Sequence, residues 1–186
     1  MKRDAQATKQ RIFEAATAEF ARYGIAGARI DRIAAASGSN KAMIYAYFGS
    51  KDALFDAVGV EWISRNMSDV PVTAHDLPEF AARLFDQYQT YPEMIRLVTW
   101  AGLERGPEAN RIEPVLTSYR GKLQAIARAQ QEGIVSDRFS AETLLELILT
   151  LIRMGPGLNA DPADQDEPLR RRQAIKDAVA ALARPG

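Results

Sequence analysis

Apolar residues recur at intervals of three and four along almost the whole chain, and this spacing limits the possible folds more than any other feature. Ile12, Ala16, Phe20 and Tyr23, for example, share one face of a predicted helix. No stretch alternates apolar and polar residues with period two, which is the pattern of a half-buried strand. The sequence therefore predicts an all-α protein.

Glycines and prolines divide this pattern into about nine helices. The first four predicted helices run from Thr8 to Tyr23, from Ile30 to Ser37, from Lys41 to Tyr47 and from Ser50 to about Met67. The fifth, sixth and eighth begin near Asp76, Pro92 and Ser140. The seventh begins between Asn110 and Pro114 and ends by Gly133, and the ninth runs from about Pro168 to Ala183. We expect residues 1–50 to form one domain and residues 51–186 to form a second.

The residue types that are missing exclude several kinds of chemistry. The 186 residues include no Cys and a single His, His75. Disulfides, thiol nucleophiles, zinc-thiolate sites and iron–sulfur clusters all need Cys, and a His-rich metal site would need a second chain. Glu104, Asp86 and His75 could act as acids or bases, but their spacing does not place two of them at one substrate. We therefore expect no enzymatic activity, no metal and no cofactor.

Hydropathy argues against a membrane protein. The longest uncharged apolar stretch in the C-terminal half runs from Leu147 to Ile152, whereas a helix that spans a bilayer needs roughly 20 apolar residues. The chain is charged from Lys2 onward, unlike an export signal. We expect a cytoplasmic protein with no membrane partner.

Charge is unevenly distributed along the chain, although the total is zero. Residues 1–51 hold nine basic and four acidic residues, a net charge of +5, and the remainder holds 15 basic and 20 acidic residues, a net charge of −5. A basic first quarter favours contact between that segment and a polyanion such as nucleic acid.

The second and third predicted helices are short and are joined by Gly38, Ser39 and Asn40. Gly38 can adopt positive φ, and Asn40 can cap the helix that follows. Three helices, of which the last two are joined by such a turn, form a helix-turn-helix, in which the last helix projects outward.

The residues of this segment resemble the signature of the TetR (tetracycline repressor) family of bacterial transcription regulators. The resemblance covers about residues 8 to 58 and rests on Ile12, Ala15, Ala16, Phe20, Gly24, Ile33-Ala34, Gly38, Ile44-Tyr45-Ala46-Tyr47-Phe48, Ser50-Lys51 and Leu54. It implies that the helix from Lys41 to Tyr47 enters the major groove of DNA, while Tyr47 and Lys51 meet the DNA backbone.

The residue chemistry is compatible with this role. Lys41 offers a point charge beside the capped helix start, where free N–H groups favour anions. Small or apolar side chains on the same helix can touch thymine methyls, and Tyr45 is balanced between core packing and phosphate contact. The predicted DNA-binding residues are Arg29, Ser39, Asn40, Lys41, Ala42, Met43, Tyr45, Ala46, Tyr47 and Lys51.

Four positions depart from the family pattern. Ser39 stands where an apolar residue is usual, and Ala42 stands where glycine is common. Ala28 and Arg29 replace the threonines that normally cap the second helix, which removes a cap worth about 1 kcal/mol. The change also places Arg29 where a threonine would reach a phosphate.

The resemblance further implies that the second domain binds a small molecule and dimerises through its last two long helices. The eighth helix is apolar around most of its circumference, which favours burial on two sides. The predicted dimer interface is Leu144, Leu147, Ile148, Leu151, Ile175, Val179 and Leu182. Candidate effector-contacting residues, which could equally be core, are Trp62, Phe85, Tyr88, Met94, Trp100 and Tyr119.

We therefore expect a homodimeric DNA-binding regulator, a repressor that binds a palindromic operator in double-stranded DNA and is released by a small-molecule effector of unknown identity. The alternative is a helical small-molecule-binding protein that has lost sequence-specific DNA recognition, since Ser39, Ala42 and Arg29 depart from the pattern.

Overall fold

The computed structural model describes residues 2–66, 73–106, 113–154 and 163–185. These residues form nine α-helices and one 3-10 turn and contain no β-strand, so the predicted all-α fold is confirmed. The helices are α1 (Lys2–Gly27), α2 (Ile30–Ser37), α3 (Lys41–Phe48), α4 (Lys51–Asn66), α5 (Leu77–Thr90), α6 (Pro92–Arg105), α7 (Glu113–Gln131), α8 (Ala141–Arg153) and α9 (Glu167–Ala183), with the 3-10 turn at Ala74–Asp76.

Helix α1 differs most from its predicted bounds. It begins at Lys2 rather than Thr8, and helical residues follow the predicted end at Tyr23 as far as Gly27. Gly24 interrupts it with φ 71° and ψ −178°, so the predicted break is present as a kink inside the helix. The predicted end of the fourth helix at Met67 lies outside the described residues.

The chain divides into two compact units. The N-terminal unit comprises residues 1–65 and 91–116, and the C-terminal unit comprises residues 66–90 and 117–186. The functional boundary between residues 50 and 51 stays a prediction. Within the described ranges, no helix combines the length and the apolar character needed to cross a membrane.

The core of the N-terminal unit is built by the predicted apolar faces of the first four helices. Phe20 and Leu54 are fully buried, and Phe20 packs edge-on against Phe55 at 5.2 Å between ring centroids. Phe13 contacts Phe48 in the same way at 5.4 Å. These contacts hold α3 with its inner face against α1, so its outer face is left open.

Two side chains of helix α6 contact α1 at its kink. The Glu104 carboxylate accepts hydrogen bonds from the backbone N–H groups of Ile25 (3.1 Å) and Ala26 (2.7 Å), which follow Gly24. The Trp100 indole donates to the carbonyl of Ala21 at 3.3 Å. A Cβ on Gly24 would lie 2.9 Å from the Trp100 ring and would overlap the Glu104 carboxylate. Gly24 is therefore required both by its positive φ and by this close approach.

The last residue of α6 contacts α4. The Arg105 guanidinium forms ion pairs with Asp52, at 3.2 Å, and with Asp56. It also lies over the Phe55 ring, 4.8 Å from its centroid. Arg105 and Glu104 thus attach one end of α6 to two different helices of the same unit.

In the C-terminal unit, α5 packs against α8 and α9. Phe80, Leu84 and Leu145 are fully buried in this core. Ion pairs also connect α5 to α9. Glu79 contacts Arg172 (3.0 Å) and Lys176 (2.7 Å), and Asp86 contacts Arg172 (2.9 Å).

Candidate nucleic-acid interface

The turn before α3 has the predicted geometry. Gly38 closes α2 in the left-handed region, with φ 63° and ψ 29°. Asn40 caps α3, because its side-chain oxygen accepts the backbone N–H of Met43 at 2.8 Å. The backbone N–H groups of Lys41 and Ala42 precede this bond, at the helix end that favours anions.

The two faces of α3 differ sharply in exposure. Ile44 is buried, whereas Tyr45 and Tyr47 are 47% and 43% exposed. Lys41, Ala42, Met43 and Ala46 are also exposed. The sequence left Tyr45 open between core and surface, and the structure places it on the surface. The outer face of α3 therefore offers two phenol groups, small apolar side chains and one cation.

The cation on this face is already paired. The Lys41 ammonium forms an ion pair with Asp31 of α2, and both side chains are largely exposed. An exposed pair of this kind is worth less than about 1 kcal/mol. A phosphate can therefore replace Asp31 as the partner of Lys41 at little cost in stability.

Arg29 holds the position where the sequence predicts a lost cap. It precedes α2 with extended backbone angles and makes no side-chain capping bond, so the predicted loss is confirmed. Glu19 compensates, since its carboxylate accepts the backbone N–H of Arg29 at 2.9 Å. The Arg29 guanidinium is exposed and makes no bond to the residues that the structure describes, so it is open to a phosphate.

Glu19 is one of two charged side chains buried among the described residues, at 8% exposure. It also accepts a hydrogen bond from the Arg32 side chain at 2.7 Å. Burial by itself raises the pKa of Glu19, but the bonds from Arg32 and from the Arg29 N–H outweigh burial and lower this pKa below its usual value. Glu19 thus holds the start of α2 as an ionised group.

Lys51 has a structural contact that its sequence position did not predict. Its ammonium donates to the carbonyl oxygens of Ala26 (3.0 Å) and Ala28 (3.1 Å) at the end of α1. An ammonium has three N–H donors, so one remains for a phosphate. The backbone contact proposed for Lys51 stays a prediction.

Ser39 also points partly inward. Its hydroxyl lies 2.8 Å from that of Ser37, which is buried and bonded to the carbonyl of Ile33 at 2.7 Å. This pairing explains how a polar residue is accommodated where the family usually has an apolar one.

The candidate effector residues fall in both units. Trp62, Met94 and Trp100 belong to the N-terminal unit, and Phe85, Tyr88 and Tyr119 belong to the C-terminal unit. Met94, Phe85 and Tyr88 are buried, and burial raises the pKa of Tyr88. Burial and a hydrogen bond to Glu146 raise the pKa of Tyr119 to about 12. An effector role for these residues stays a prediction.

Four of the predicted dimer residues are already covered inside one chain. Leu144, Ile148, Ile175 and Val179 are buried in the C-terminal unit, where they form its core. The remaining three, Leu147, Leu151 and Leu182, are partly exposed. The dimer interface of these seven residues stays a prediction.

The sequence analysis did not predict the structural roles of Glu19, Glu104 and Lys122. Glu19 and Glu104 bond to backbone groups of distant residues, for which the sequence carries no local signal. Lys122 did have a signal, because it interrupts the apolar spacing that continues through Ile126 and Ala129 of α7.

Comparisons with known proteins agree with this geometry. Residues 12–58 match the family described as bacterial regulatory proteins, tetR family, and residues 76–181 match the tetracyclin repressor-like C-terminal domain. Together these matches include both units.

Two curated relatives are repressors. The chain is 44% identical to the HTH-type transcriptional repressor SCO4008 of Streptomyces coelicolor, over 80% of this chain and 78% of that protein. It is 32% identical to the HTH-type transcriptional repressor NicS of Pseudomonas putida, over 72% and 68% of the two chains.

A solved structure shares the fold along nearly the full length. The putative transcriptional regulator SCO4942 of Streptomyces coelicolor superposes with a TM-score of 0.81 at 34% identity, covering 96% of this chain and 99% of that one. With the helix-turn-helix geometry and both family matches, these similarities show that the chain belongs to the TetR family of DNA-binding transcriptional regulators.

Proposed function

We propose that this protein is a homodimeric repressor that binds a palindromic operator through α3 and is released by a small-molecule effector in the cytoplasm. The observation that carries the proposal is the outer face of α3, where Lys41, Met43, Tyr45 and Tyr47 are exposed while Ile44 anchors the helix from behind. A helix presented in this way fits the major groove.

The side chains of this face suggest how DNA is read. Met43 and the two alanines suit contact with thymine methyls, and the tyrosine hydroxyls suit phosphates or base edges. Lys41 and Arg29 supply cations for the backbone. Because the face offers only one cation and no Asn, Gln or Arg, part of the specificity should come from DNA shape.

Selection of bound duplexes from a random DNA library tests the proposal directly. We expect enrichment of a palindrome whose half-sites lie about one helical turn, or ~34–36 Å, apart, because a two-fold dimer presents two copies of α3. Enrichment of a single half-site would contradict the dimeric arrangement.

Variants of tyrosine then test the assigned face. Tyr47→Ala should weaken binding to the selected duplex by about tenfold or more at matched salt. Tyr91→Ala is the control, since Tyr91 is similarly exposed at 40% but precedes α6. Equal affinities of the two variants would remove Tyr47 from the interface.

The dimer proposal has its own test. Leu151→Glu should yield monomers in sedimentation equilibrium, because a carboxylate on a contacting apolar face is costly to bury. Leu103→Glu is the control, since Leu103 lies on α6 and is 73% exposed. A Leu151→Glu protein that stays dimeric would exclude this part of α8 from the interface.

A helical small-molecule-binding protein without sequence-specific DNA recognition remains the second candidate. The ion pair of Lys41 with Asp31 and the bond of Ser39 to Ser37 favour it, because both engage side chains that were assigned to DNA. Failure to enrich any duplex at low salt, with a ligand still raising the melting temperature, would establish this alternative.

A further inference from the structure

Lys122 is the second charged side chain that is buried among the described residues, at 9% exposure. It lies on the buried stripe of α7 with Ile126 and Ala129, at a position where helical spacing calls for an apolar side chain. Its ammonium therefore lies where the apolar spacing of α7 predicts a hydrocarbon group.

The partners of this ammonium leave its charge unbalanced. Lys122 donates to the Ser118 hydroxyl at 2.5 Å and weakly to the Ser118 carbonyl at 3.4 Å. It forms no ion pair with the residues that the structure describes, and Glu146 of α8 bonds instead to Tyr119. Burial, with no opposing attraction from a carboxylate, lowers the pKa of Lys122.

A buried charge without a counter-charge is unfavourable, and folded proteins normally remove it by ion pairing or by substitution. Lys122 is not explained by the core contacts of α7, because Met or Leu would fill the same volume without the charge. Such an arrangement fits a site whose counter-charge arrives with a ligand.

We propose that Lys122, assisted by the Ser118 hydroxyl, binds the carboxylate of a small organic acid that acts as the effector. The proposal rests on the proposed function, of which it specifies the ligand class. The Lys122 ammonium and the Ser118 hydroxyl would together give the carboxylate two donors. Binding forms hydrogen bonds and an ion pair only, with no covalent change.

Matched pairs of acids and neutral amides test this inference on the full chain without DNA. The probes are 2-naphthoic acid against 2-naphthamide and decanoic acid against decanamide, so that one aromatic and one aliphatic body are covered. At constant ionic strength, we expect at least one acid to raise the melting temperature by several degrees and its amide to have little effect.

Two variants locate the effect. Lys122→Met keeps the volume and removes the charge, and it should lower the affinity for the acid by about tenfold or more. Arg128→Met is the matched control, since Arg128 is a cation of the same helix that is 81% exposed. We expect the control to retain the full preference for the acid.

A proton-uptake measurement separates direct binding from a structural role. Where part of Lys122 is neutral in the free protein, binding a carboxylate should draw a proton onto it, which calorimetry in two buffers of different ionisation enthalpy detects. Lys122→Met should bind any remaining acid without this uptake. A purely structural lysine would leave the uptake unchanged in the variant.

Several outcomes would overturn the inference. These are equal effects of acid and amide, no effect of any acid, an undiminished acid preference in Lys122→Met, or an equal effect of inorganic phosphate or chloride. The last result would identify the partner as a simple ion rather than an organic effector.

Measuring binding to the selected duplex in the presence of the acid distinguishes this inference from the proposed function. Acid binding that depends on Lys122 but leaves the selected duplex bound would support the site and refute its role in release. Specific duplex binding without any acid effect would refute the Lys122 site and leave the DNA-binding function intact.

Discussion

The two units treat a buried charge in opposite ways. In the N-terminal unit, Glu19 accepts bonds from the Arg29 N–H and the Arg32 side chain. In the C-terminal unit, Lys122 bonds to Ser118 alone among the residues that the structure describes. A buried charge with several partners fixes a structure, whereas one with few partners weakens it and leaves binding capacity unused. The contrast separates the region that must present α3 rigidly from the region that we propose to respond to a ligand.

The largest change in stability should come from adding a side chain at Gly24, in the kink of α1. Gly24→Ala adds strain at φ 71° and drives a methyl group against Trp100 and Glu104, so the free energy of unfolding should fall by about 3 kcal/mol. Urea unfolding measures it. Gly38→Ala is the control, because Gly38 has φ 63° but no atom within 4 Å of the new Cβ. Equal losses would show that backbone strain alone decides both positions.

The next largest effect should come from removing the charge of Glu19. Glu19→Gln weakens the charge-assisted bonds to Arg29 and Arg32, and we expect a loss of about 2 kcal/mol in urea unfolding. Glu14→Gln on the same helix is the control, since Glu14 is exposed and accepts a single exposed bond, from Gln10, within the described part of the chain. A loss no greater than that of the control would mean that Glu19 does not hold the start of α2.

Removing the charge of Lys122 should have a smaller effect of the opposite sign. Lys122→Met places an apolar group on an apolar stripe, so the ligand-free protein should gain about 1 kcal/mol in urea unfolding. A loss of stability would show that the Ser118 bond already compensates the ammonium, and the contrast between the two units would disappear.

The smallest effect should be a difference in pH dependence. The pKa of Glu19 is lowered in the fold, so its stabilisation is complete above the usual value of 4.5 and is lost as the pH falls through the lowered value. The pKa of Lys122 is also lowered, so the unfolded chain holds that proton more tightly and stability rises with pH up to about 10.5. Urea unfolding across pH should show that Glu19→Gln flattens the acid limb and Lys122→Met the alkaline rise. If Glu19→Gln instead flattened the alkaline rise and Lys122→Met the acid limb, the surroundings described for both side chains would be contradicted.

The sequence predicts the parts of the interface that depend on neighbouring residues. Asn40, Ser50 and Ser140 cap their helices as expected, because a cap reaches only three residues along the chain. The positive φ of Gly24, where the sequence predicts a helix end, and the turn at Gly38 were predicted from single residues, since glycine alone tolerates these angles easily.

The contacts that sequence reasoning missed join residues that are distant along the chain. Glu104 bonds to residues 79 and 78 positions away, and Lys51 reaches back 25 and 23 positions to the end of α1. Helical spacing identifies which face is buried but not which helix covers it. The same limit applies to Leu144 and Ile148, which the sequence assigns to a dimer interface and which are fully buried within one chain.

The close packing of Trp100 and Glu104 against Gly24 also limits how the sequences of such chains can diverge. Because Trp100 and Glu104 occupy the space that a side chain at position 24 would need, these three positions cannot change independently. A lineage that replaces Gly24 must first acquire smaller residues at 100 or 104, which leaves a void beside α1, because the reverse order makes the new side chain clash with Trp100 and Glu104. Aligned descendants should therefore show correlated substitutions at these positions, and a chain recombined between distant relatives within residues 24–100 should fold poorly even when each parent folds well.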